Sequence, residues 1–196
     1  MLARVSVELQ LAVLKSQLDP HFLFNSLNTL ASMIDDNEPA SAYLNQLADV
    51  YRYVLVNRKK NLVSLDEEMR FSNAYIYLNK TRFRENLQVE KQIIPATLGR
   101  RIAPLSLQLL VENAIKHNVV SKEHPLVIKI LEDGSDYLVV ANNVQAKTIL
   151  RSGGRDESTR IGLQNFRERY RLLTNQSIDI TSDASQFRVR IPLLAA

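Results

Sequence analysis

The sequence contains no cysteine, has only three histidines among its 196 residues, and carries no long apolar run. The absence of cysteine excludes disulfides and metal sites built on thiolates. No stretch of about 18 apolar residues is present, so no membrane-spanning helix is predicted, and no signal-peptide pattern is found. The remaining composition, with 45% hydrophobic and 23% charged residues, is ordinary for one large or two small globular domains.

The charge balance is modestly basic, with a formal net charge of +4. Basic residues gather in two places, at 58–60 and at 151–171. A basic patch can indicate nucleic acid binding, but no aromatic-interleaved or helix-turn-helix pattern accompanies these residues. We therefore expect solvated faces or contact with a phosphorylated small molecule, and no direct nucleic acid partner.

A proline followed directly by a histidine, Pro20 and His21, interrupts an apolar-periodic segment. Two apolar stripes run along this segment, and the second is rotated by roughly 130° around the helix axis relative to the first. The change from one stripe to the other falls at the proline, where a helix would kink. His21 then faces away from the second stripe, and Asn25 lies one turn on along the same side. A second interpretation needs no function, since Asp19 would be an N-cap and Pro20 the first residue of a new helix. The spacing of the residues alone does not decide between a kinked helix with an outward-facing His21 and a new helix that begins at Pro20.

The first part of the chain is predicted to be a helical hairpin. One helical segment runs to about Ile34, residues 35–39 form a turn, and a second helix follows. The second helix carries an apolar seam at heptad-like spacing, formed by Ala40, Leu44, Leu47, Tyr51 and Val54. A lone hairpin cannot bury both seams, so we expect a homodimeric four-helix bundle. The basic residues 58–63 are predicted to be a linker.

The second part mixes helices with mostly antiparallel strands, which predicts an α+β layered domain. A capping box at Ser64–Glu67 starts a helix to about Phe83. The remaining predicted elements are a strand at 87–94, a helix from Pro104 to about His117, strands at 125–131 and 137–144 joined by a hairpin turn at 132–135, a loop at 145–160, a helix at 161–174, and a final hairpin at 178–180 and 187–191.

The Pro104 helix has two chemically different faces. Its apolar face comprises Leu107, Leu110, Val111, Ala114 and Ile115, and its polar face Ser106, Glu112, Asn113, Lys116 and His117. A plain amphipathic helix explains this pattern. An amide oxygen beside a cation also suits a magnesium–phosphate site. Gly162, at the predicted start of the next helix, fits a phosphate cradle, although a glycine before a helix is common.

Taken together, three motifs resemble LytS-like sensor histidine kinases. Residues 18–28, which include Pro20-His21-Phe22-Leu23-Phe24-Asn25, resemble their phosphoacceptor box. Residues 111–117 resemble their N-box, and residues 161–165 their glycine box. Residues 77–83 and the ending Arg190-Ile191-Pro192 also fit. The resemblance covers essentially the whole chain, with the motifs in the correct order.

The resemblance implies a phosphoacceptor and dimerisation hairpin at residues 1–62, followed by a GHKL (Bergerat-type) α/β sandwich that binds ATP at residues 63–196, with residues 145–160 as lid. It implies transfer of the ATP γ-phosphate to His21, with Asp19 and Asn25 as candidates for orienting the imidazole. The phosphate would then move to an aspartate of a response regulator, often a LytTR-type DNA-binding protein. The chain would be the cytoplasmic portion of an inner-membrane sensor whose upstream part is missing.

The resemblance also implies an ATP site with magnesium. Asn113 would hold Mg²⁺, Lys116 and His117 would face the phosphates, and Gly162 and Leu163 would lie in the glycine box. Two positions depart from the family pattern, because Asn142 stands where an aspartate usually binds adenine and Arg160 replaces the first glycine. These departures motivate an alternative, a degenerate kinase that acts as a dimeric nucleotide-binding or protein-interaction module.

Overall fold

The computed structural model describes Leu30 and residues 37–57, 60–145 and 157–195, without the side chains of 157–161. The predicted first helix with Asp19, His21 and Asn25, and most of the predicted lid, lie outside the described residues. Contacts within the chain group it into two compact units, Met1–Val56 and Asn57–Ala196. The predicted boundary between residues 62 and 63 stays a prediction.

The first unit contributes one described helix, α1 (Glu38–Asn57), which confirms the second predicted helix. Asn37 precedes it, and its Oδ1 accepts a hydrogen bond from the amide of Ala40 at 3.3 Å. An asparagine before the first turn satisfies a backbone donor that the helix itself cannot. Along the predicted seam, Tyr51 remains 42% exposed.

The second unit is an α+β sandwich, as predicted. Its helices are α2 (Leu65–Phe83), α3 (Ser106–His117) and α4 (Glu157–Thr174). Its strands are β1 (Val63–Ser64), β2 (Leu87–Gln92), β3 (Arg101–Ile102), β4 (Leu126–Asp133), β5 (Tyr137–Asn143), β6 (Asp179–Ser182) and β7 (Gln186–Pro192), and short 3-10 turns lie at Arg84–Asn86 and Pro95–Thr97.

Five strands form the main sheet, in the order β2-β4-β5-β7-β6. The β2–β4 pair is parallel, and the three other pairs are antiparallel. Strands β1 and β3 form a separate two-stranded sheet, with Val63 opposite Ile102. This small sheet was not predicted, because two residues are too few to show an alternating pattern.

One face of the main sheet, here called the inner face, carries Ile130, Val140 and Val189 in adjacent register positions. These side chains belong to one buried cluster together with apolar residues of all three helices. Full burial of one aliphatic side chain stabilises the folded state by about 1.5–3 kcal/mol relative to leaving it exposed. The opposite, outer face carries ion pairs such as Lys129–Glu90, with nitrogen and oxygen 3.0 Å apart. The inner face therefore fixes where α3 lies above the sheet.

Two helix starts differ from the predictions. Helix α3 begins at Ser106 and not at Pro104, because Leu105 adopts a left-handed conformation with φ 67°. Helix α4 begins at Glu157, four residues before the predicted start, which shortens the predicted lid. An acidic residue at a helix start is favoured by the helix dipole. Gly162 consequently lies inside α4 and does not open it.

Candidate functional site

Helix α3 packs its apolar face against the sheet as predicted. Leu107 and Val111 are fully buried, and α3 contacts strands β4 and β5. On the other face, Glu112 and Lys116 are exposed. The prediction is wrong for Ser106, which is fully buried and donates its hydroxyl to the carbonyl oxygen of Ala103 at 2.6 Å. As the first residue of the helix, it closes the preceding turn.

Asn113 is the polar residue of α3 whose environment is unusual. The residue is half-buried, and its side-chain Nδ2 is shielded from solvent with no hydrogen-bond partner in the described part of the chain. A buried amide group without a partner costs free energy, so such groups are uncommon and call for an explanation. A ligand in contact with this side chain would supply one.

The two asparagines at the end of β5 have different roles. Asn142 lies on the inner face between Ile128 and Phe187 and is 5% exposed. Its Nδ2 donates to the carbonyl oxygen of Asn143 at 2.7 Å, while no described residue donates a hydrogen bond to its Oδ1. The side-chain oxygen of Asn143 already has a partner within the fold, because its Oδ1 accepts a hydrogen bond from the amide of Val127 at 2.8 Å. Asn142 is therefore the residue with an oxygen available to a ligand.

Backbone and amide contacts tie the end of α3 to the end of β5. The amide of Gln145 donates to Asn118 Oδ1 at 2.7 Å, and the amide of Val119 donates to the carbonyl oxygen of Gln145 at 2.8 Å. Asn118 also donates through Nδ2 to the carbonyl oxygen of Ala114 at 2.8 Å. These bonds join the helix that carries Asn113 to the strand end that carries Asn142. The roles of Asn118 and Gln145 were not predicted, although an amide residue directly after a helix is a recognisable signal.

For the other predicted site residues, the structure gives the position in a helix and, where the side chain is described, its burial. His117 is half-buried at the last position of α3, next to the exposed Lys116. Gly162 and Leu163 are half-buried in the second turn of α4. Arg160 belongs to the same helix, but its side chain lies outside the described residues. Helix α4 is tied to the segment before α3 by a 3.3 Å hydrogen bond from Arg169 to the carbonyl oxygen of Pro104.

Two further features bear on the electrostatics of the site. Burial, and to a lesser degree the nearby carboxylate of Glu112, raises the pKa of the Tyr75 phenol above its ordinary value. No group of three or more His, Cys, Asp or Glu side chains suited to a metal occurs among the described residues. Magnesium that binds together with a nucleotide is usually held by phosphate oxygens, water and one or two protein oxygens.

Two cavities in the described chain lie away from Asn113. One, of about 270 Å³, lies at the end of β5 and is lined by residues that include Lys129, Asn142 and Asn143. The other, of about 520 Å³, lies at the edge strand β6 and is lined by residues that include Arg167 and Arg188. Neither accounts for the unpartnered amide. None of the described helices is long and apolar enough to cross a membrane.

Comparison with known proteins gives the family. Residues 9–87 match the histidine kinase family model. The LytS sensor protein of Streptococcus agalactiae is 30% identical over 198 residues, which cover 93% of this chain and 34% of that protein. The LytS sensor protein of Staphylococcus saprophyticus is 33% identical over 135 residues, 62% of this chain and 23% of the relative. The sensor histidine kinase BtsS of Escherichia coli is 38% identical over 109 residues, 55% of this chain and 19% of the relative.

Among solved structures, the cytoplasmic segment of histidine kinase QseC matches with a TM-score of 0.47 and 15% identity, covering 87% of this chain and 95% of that one. The chain spans about a third or less of the length of the curated relatives named above. The family match and the LytS relatives confirm the resemblance seen in the motifs. The chain belongs to the LytS-like sensor histidine kinase family.

Proposed function

We propose that this chain is the kinase core of a two-component sensor, which binds ATP with Mg²⁺ and phosphorylates its own His21. The observation that carries the proposal is the side chain of Asn113. Among the described residues its amide nitrogen is buried without a partner, on a helix whose apolar face packs into the core. The oxygen and nitrogen of an asparagine amide are distinguished by their partners, so this group can turn its oxygen towards a bound cation.

The described residues fit a magnesium–nucleotide ligand. Asn113 would hold the ion through its side-chain oxygen, and Lys116 and His117 would face the phosphates. Asn142 Oδ1 would accept a hydrogen bond from the adenine amino group without the charge assistance of an aspartate. Bound magnesium would neutralise phosphate charge, which, with positioning, is the main requirement of phosphoryl transfer.

The proposed roles of the remaining residues follow from the motifs. Arg160, Gly162 and Leu163, in the first two turns of α4, would contact the phosphate end of the nucleotide. His21 would act as nucleophile through a neutral imidazole nitrogen, since the reference pKa of histidine is about 6.5. Asp19 and Asn25 would orient the imidazole ring.

The partners follow from the same proposal. A homodimer would bury the apolar seams of the N-terminal helices, and the phosphate of His21 would pass to a response-regulator aspartate, with a LytTR-type DNA-binding protein as the expected regulator. The chain would act as the cytoplasmic part of an inner-membrane sensor. The supporting finding is the relationship to LytS sensor proteins over nearly the whole chain.

The test is autophosphorylation of the purified chain with radiolabelled ATP and Mg²⁺. We expect an acid-labile label on the wild type and none on His21→Ala. The matched control is His124→Ala, since His124 is an exposed histidine in the turn before β4, and this variant should keep the label. Equal labelling of His21→Ala would contradict the assignment.

The second candidate is a degenerate kinase that serves as a dimeric interaction module. The observation that favours it is the neutral Asn142 at the buried strand end where the family pattern has an aspartate. Calorimetric titration with millimolar ATP and Mg²⁺ separates the candidates. Measurable heat of binding together with labelled His21 supports the kinase, whereas no binding and no label supports the module.

A further inference from the structure

Glu68 is a fully buried carboxylate that the predicted site does not include. It lies in the first turn of α2 and is 0% exposed. Glutamate is almost never fully buried unless its charge is satisfied. Its Oε1 accepts a hydrogen bond from the amide of Leu107 at 2.9 Å, and its Oε2 accepts one from the amide of Leu105 at 3.1 Å. The carboxylate therefore binds the start of helix α3.

Helix α3 has no cap of its own. Leu105 occupies the N-cap position with φ 67° and ψ 12°, and it makes no side-chain capping bond. A non-glycine residue in the left-handed region persists only where its surroundings enforce it. Here Glu68 supplies the missing acceptors for the first amides and places a negative charge at the positive end of the helix dipole.

The helix that carries Glu68 is itself fixed at its start. Ser64 and Glu67 form a capping box, with the amide of Glu67 donating to Ser64 Oγ at 3.1 Å. The amide of Leu65 donates to the carbonyl oxygen of Arg100 at 2.7 Å. The first turn of α2 is therefore a fixed support from which Glu68 reaches α3.

We propose that Glu68 is a positioning residue that holds α3 at the height and rotation at which Asn113 meets the magnesium–nucleotide. A helix is a stiff rod with a rise of about 1.5 Å per residue, so a displacement at Leu105 is passed on to Asn113 about two turns away. This inference rests on the proposed function, since it assigns Glu68 to the same nucleotide site. Glu68 acts through α3 and does not itself touch the ligand.

The test compares Glu68→Gln with Glu67→Gln in the full 196-residue chain. Both replace a first-turn carboxylate of α2 by the isosteric amide, but Glu67 bonds to Ser64 and pairs with Lys60, not with α3. In Glu68→Gln, only the amide oxygen can accept, so one of the two α3 amides loses its acceptor. Glu68→Asp is the conservative variant, because it keeps the charge but shortens the reach.

The first measurement is the amide NMR spectrum of the nucleotide-free chain. We expect Glu68→Gln to shift the backbone resonances of Leu105 and Leu107 and the side-chain amide resonance of Asn113, whereas Glu67→Gln leaves all three unchanged. Unchanged α3 resonances in Glu68→Gln would overturn the proposal. If Glu68→Gln fails to fold, Glu68→Asp is measured in its place with the same expectation.

The second measurement is nucleotide affinity with and without magnesium. Loss of a group that hydrogen-bonds directly to a metal ligand typically weakens metal binding by about 10- to 100-fold, and because Glu68 acts on Asn113 only through the position of α3, we expect the lower end of that range. We expect Glu68→Gln to weaken Mg²⁺–ATP binding about tenfold or more and metal-free ATP binding much less, with Glu68→Asp in between. An equal loss in both, or an equal loss in Glu67→Gln, would show a merely structural role. If the wild type binds no nucleotide, the proposed function fails, while the NMR result still decides whether Glu68 positions Asn113.

Discussion

At the scale of single residues, Tyr170 shows how one buried polar group can pin a helix to the sheet. The side chain is 0% exposed, and its hydroxyl donates a hydrogen bond to the carbonyl oxygen of Pro192 at the end of β7. Its ring meets that of Phe166 edge-to-face, with centroids 5.9 Å apart. Burial raises the pKa of the Tyr170 phenol well above its ordinary value. Helix α4 is thus fixed to the core by a group that must remain neutral.

Tyr170→Phe is therefore expected to lower the free energy of unfolding by about 1–3 kcal/mol near pH 7, because the buried Pro192 carbonyl loses its donor. The wild-type contribution should be fully present below about pH 10, the pKa of an unfolded tyrosine, and lost as the pH rises towards the folded value. In that pH window, deprotonation of Tyr170 should lower the free energy of unfolding of the wild type by up to about 1.4 kcal/mol per pH unit. The Tyr170→Phe variant lacks the hydroxyl and should not show this loss. Urea unfolding at several alkaline pH values measures both effects.

The matched control is Tyr77→Phe, because Tyr77 is 40% exposed on α2. This variant should stay close to the wild type near neutral pH and keep the alkaline loss of stability. A Tyr170→Phe variant with unchanged stability and the wild-type pH dependence would contradict the role assigned to the buried hydroxyl.

Residue-scale prediction from the sequence succeeded where the signal was local. The periodicity of α3 identified its buried face correctly, and it assigned Asn113 to the other face. It failed for Ser106, because a residue at a helix start can turn its side chain back into the preceding turn. It missed Glu68, whose partners Leu105 and Leu107 lie 37 and 39 positions further along the chain. No spacing rule connects residues so far apart.

At the scale of elements, the chain follows its local signals closely. The capping box predicted at Ser64–Glu67 is present, and the helix it starts ends at Phe83 as expected. The predicted hairpin joins β4 and β5, with Gly134 at φ 66° in the turn, a conformation that glycine adopts without strain. The starts of α3 and α4 are exceptions, and at α4 the glycine at position 162 suggested a boundary where the helix continues.

Gly162 therefore gives a test at the element scale. Inside a helix, glycine is about 0.8–1.0 kcal/mol less favourable than alanine, and a methyl group added at Gly162 would meet no atom within 4 Å in the described structure. Gly162→Ala is expected to raise the free energy of unfolding by up to about 1 kcal/mol. If the backbone at Gly162 approaches a nucleotide phosphate, the same variant should bind ATP more weakly. Thermal unfolding and ATP titration measure the two effects separately.

Gly99→Ala provides the control for that experiment. Gly99 is exposed in a turn, and an added methyl group there also meets no atom within 4 Å. It should leave ATP affinity unchanged. A Gly162→Ala variant that is stabilised but binds ATP with wild-type affinity would remove Gly162 from the site while leaving the helix assignment intact.

At the scale of the whole molecule, the α+β class could be predicted but the strand order could not. The five strands of the main sheet were recognisable from the sequence, whereas their order β2-β4-β5-β7-β6 depends on which inner-face side chains fit together across the sheet. The parallel pairing of β2 with β4 is an example, because α3 lies between them in the chain. The packing of α3, which carries Asn113, against β5, which carries Asn142, is a product of that order.

The division into two units leads to the last prediction. The unit Asn57–Ala196 contains the whole described sheet and the buried cluster beneath the helices. A chain that begins at Asn57 retains Val63 of β1 and the capping residue Ser64, so no described interaction of α2 or the sheet is cut. Because the cluster lies within this unit, we expect the shortened chain to unfold cooperatively and to bind Mg²⁺–ATP like the full chain.

The shortened chain lacks His21, so it should not label itself. It should label a catalytically inactive full-length Asn113→Ala chain added in trans if phosphate can pass between subunits. Thermal unfolding, calorimetry and labelling check the three expectations in turn. A shortened chain that does not fold would show that the first unit is part of the same cooperative structure, and the kinase core would then have to be treated as one body.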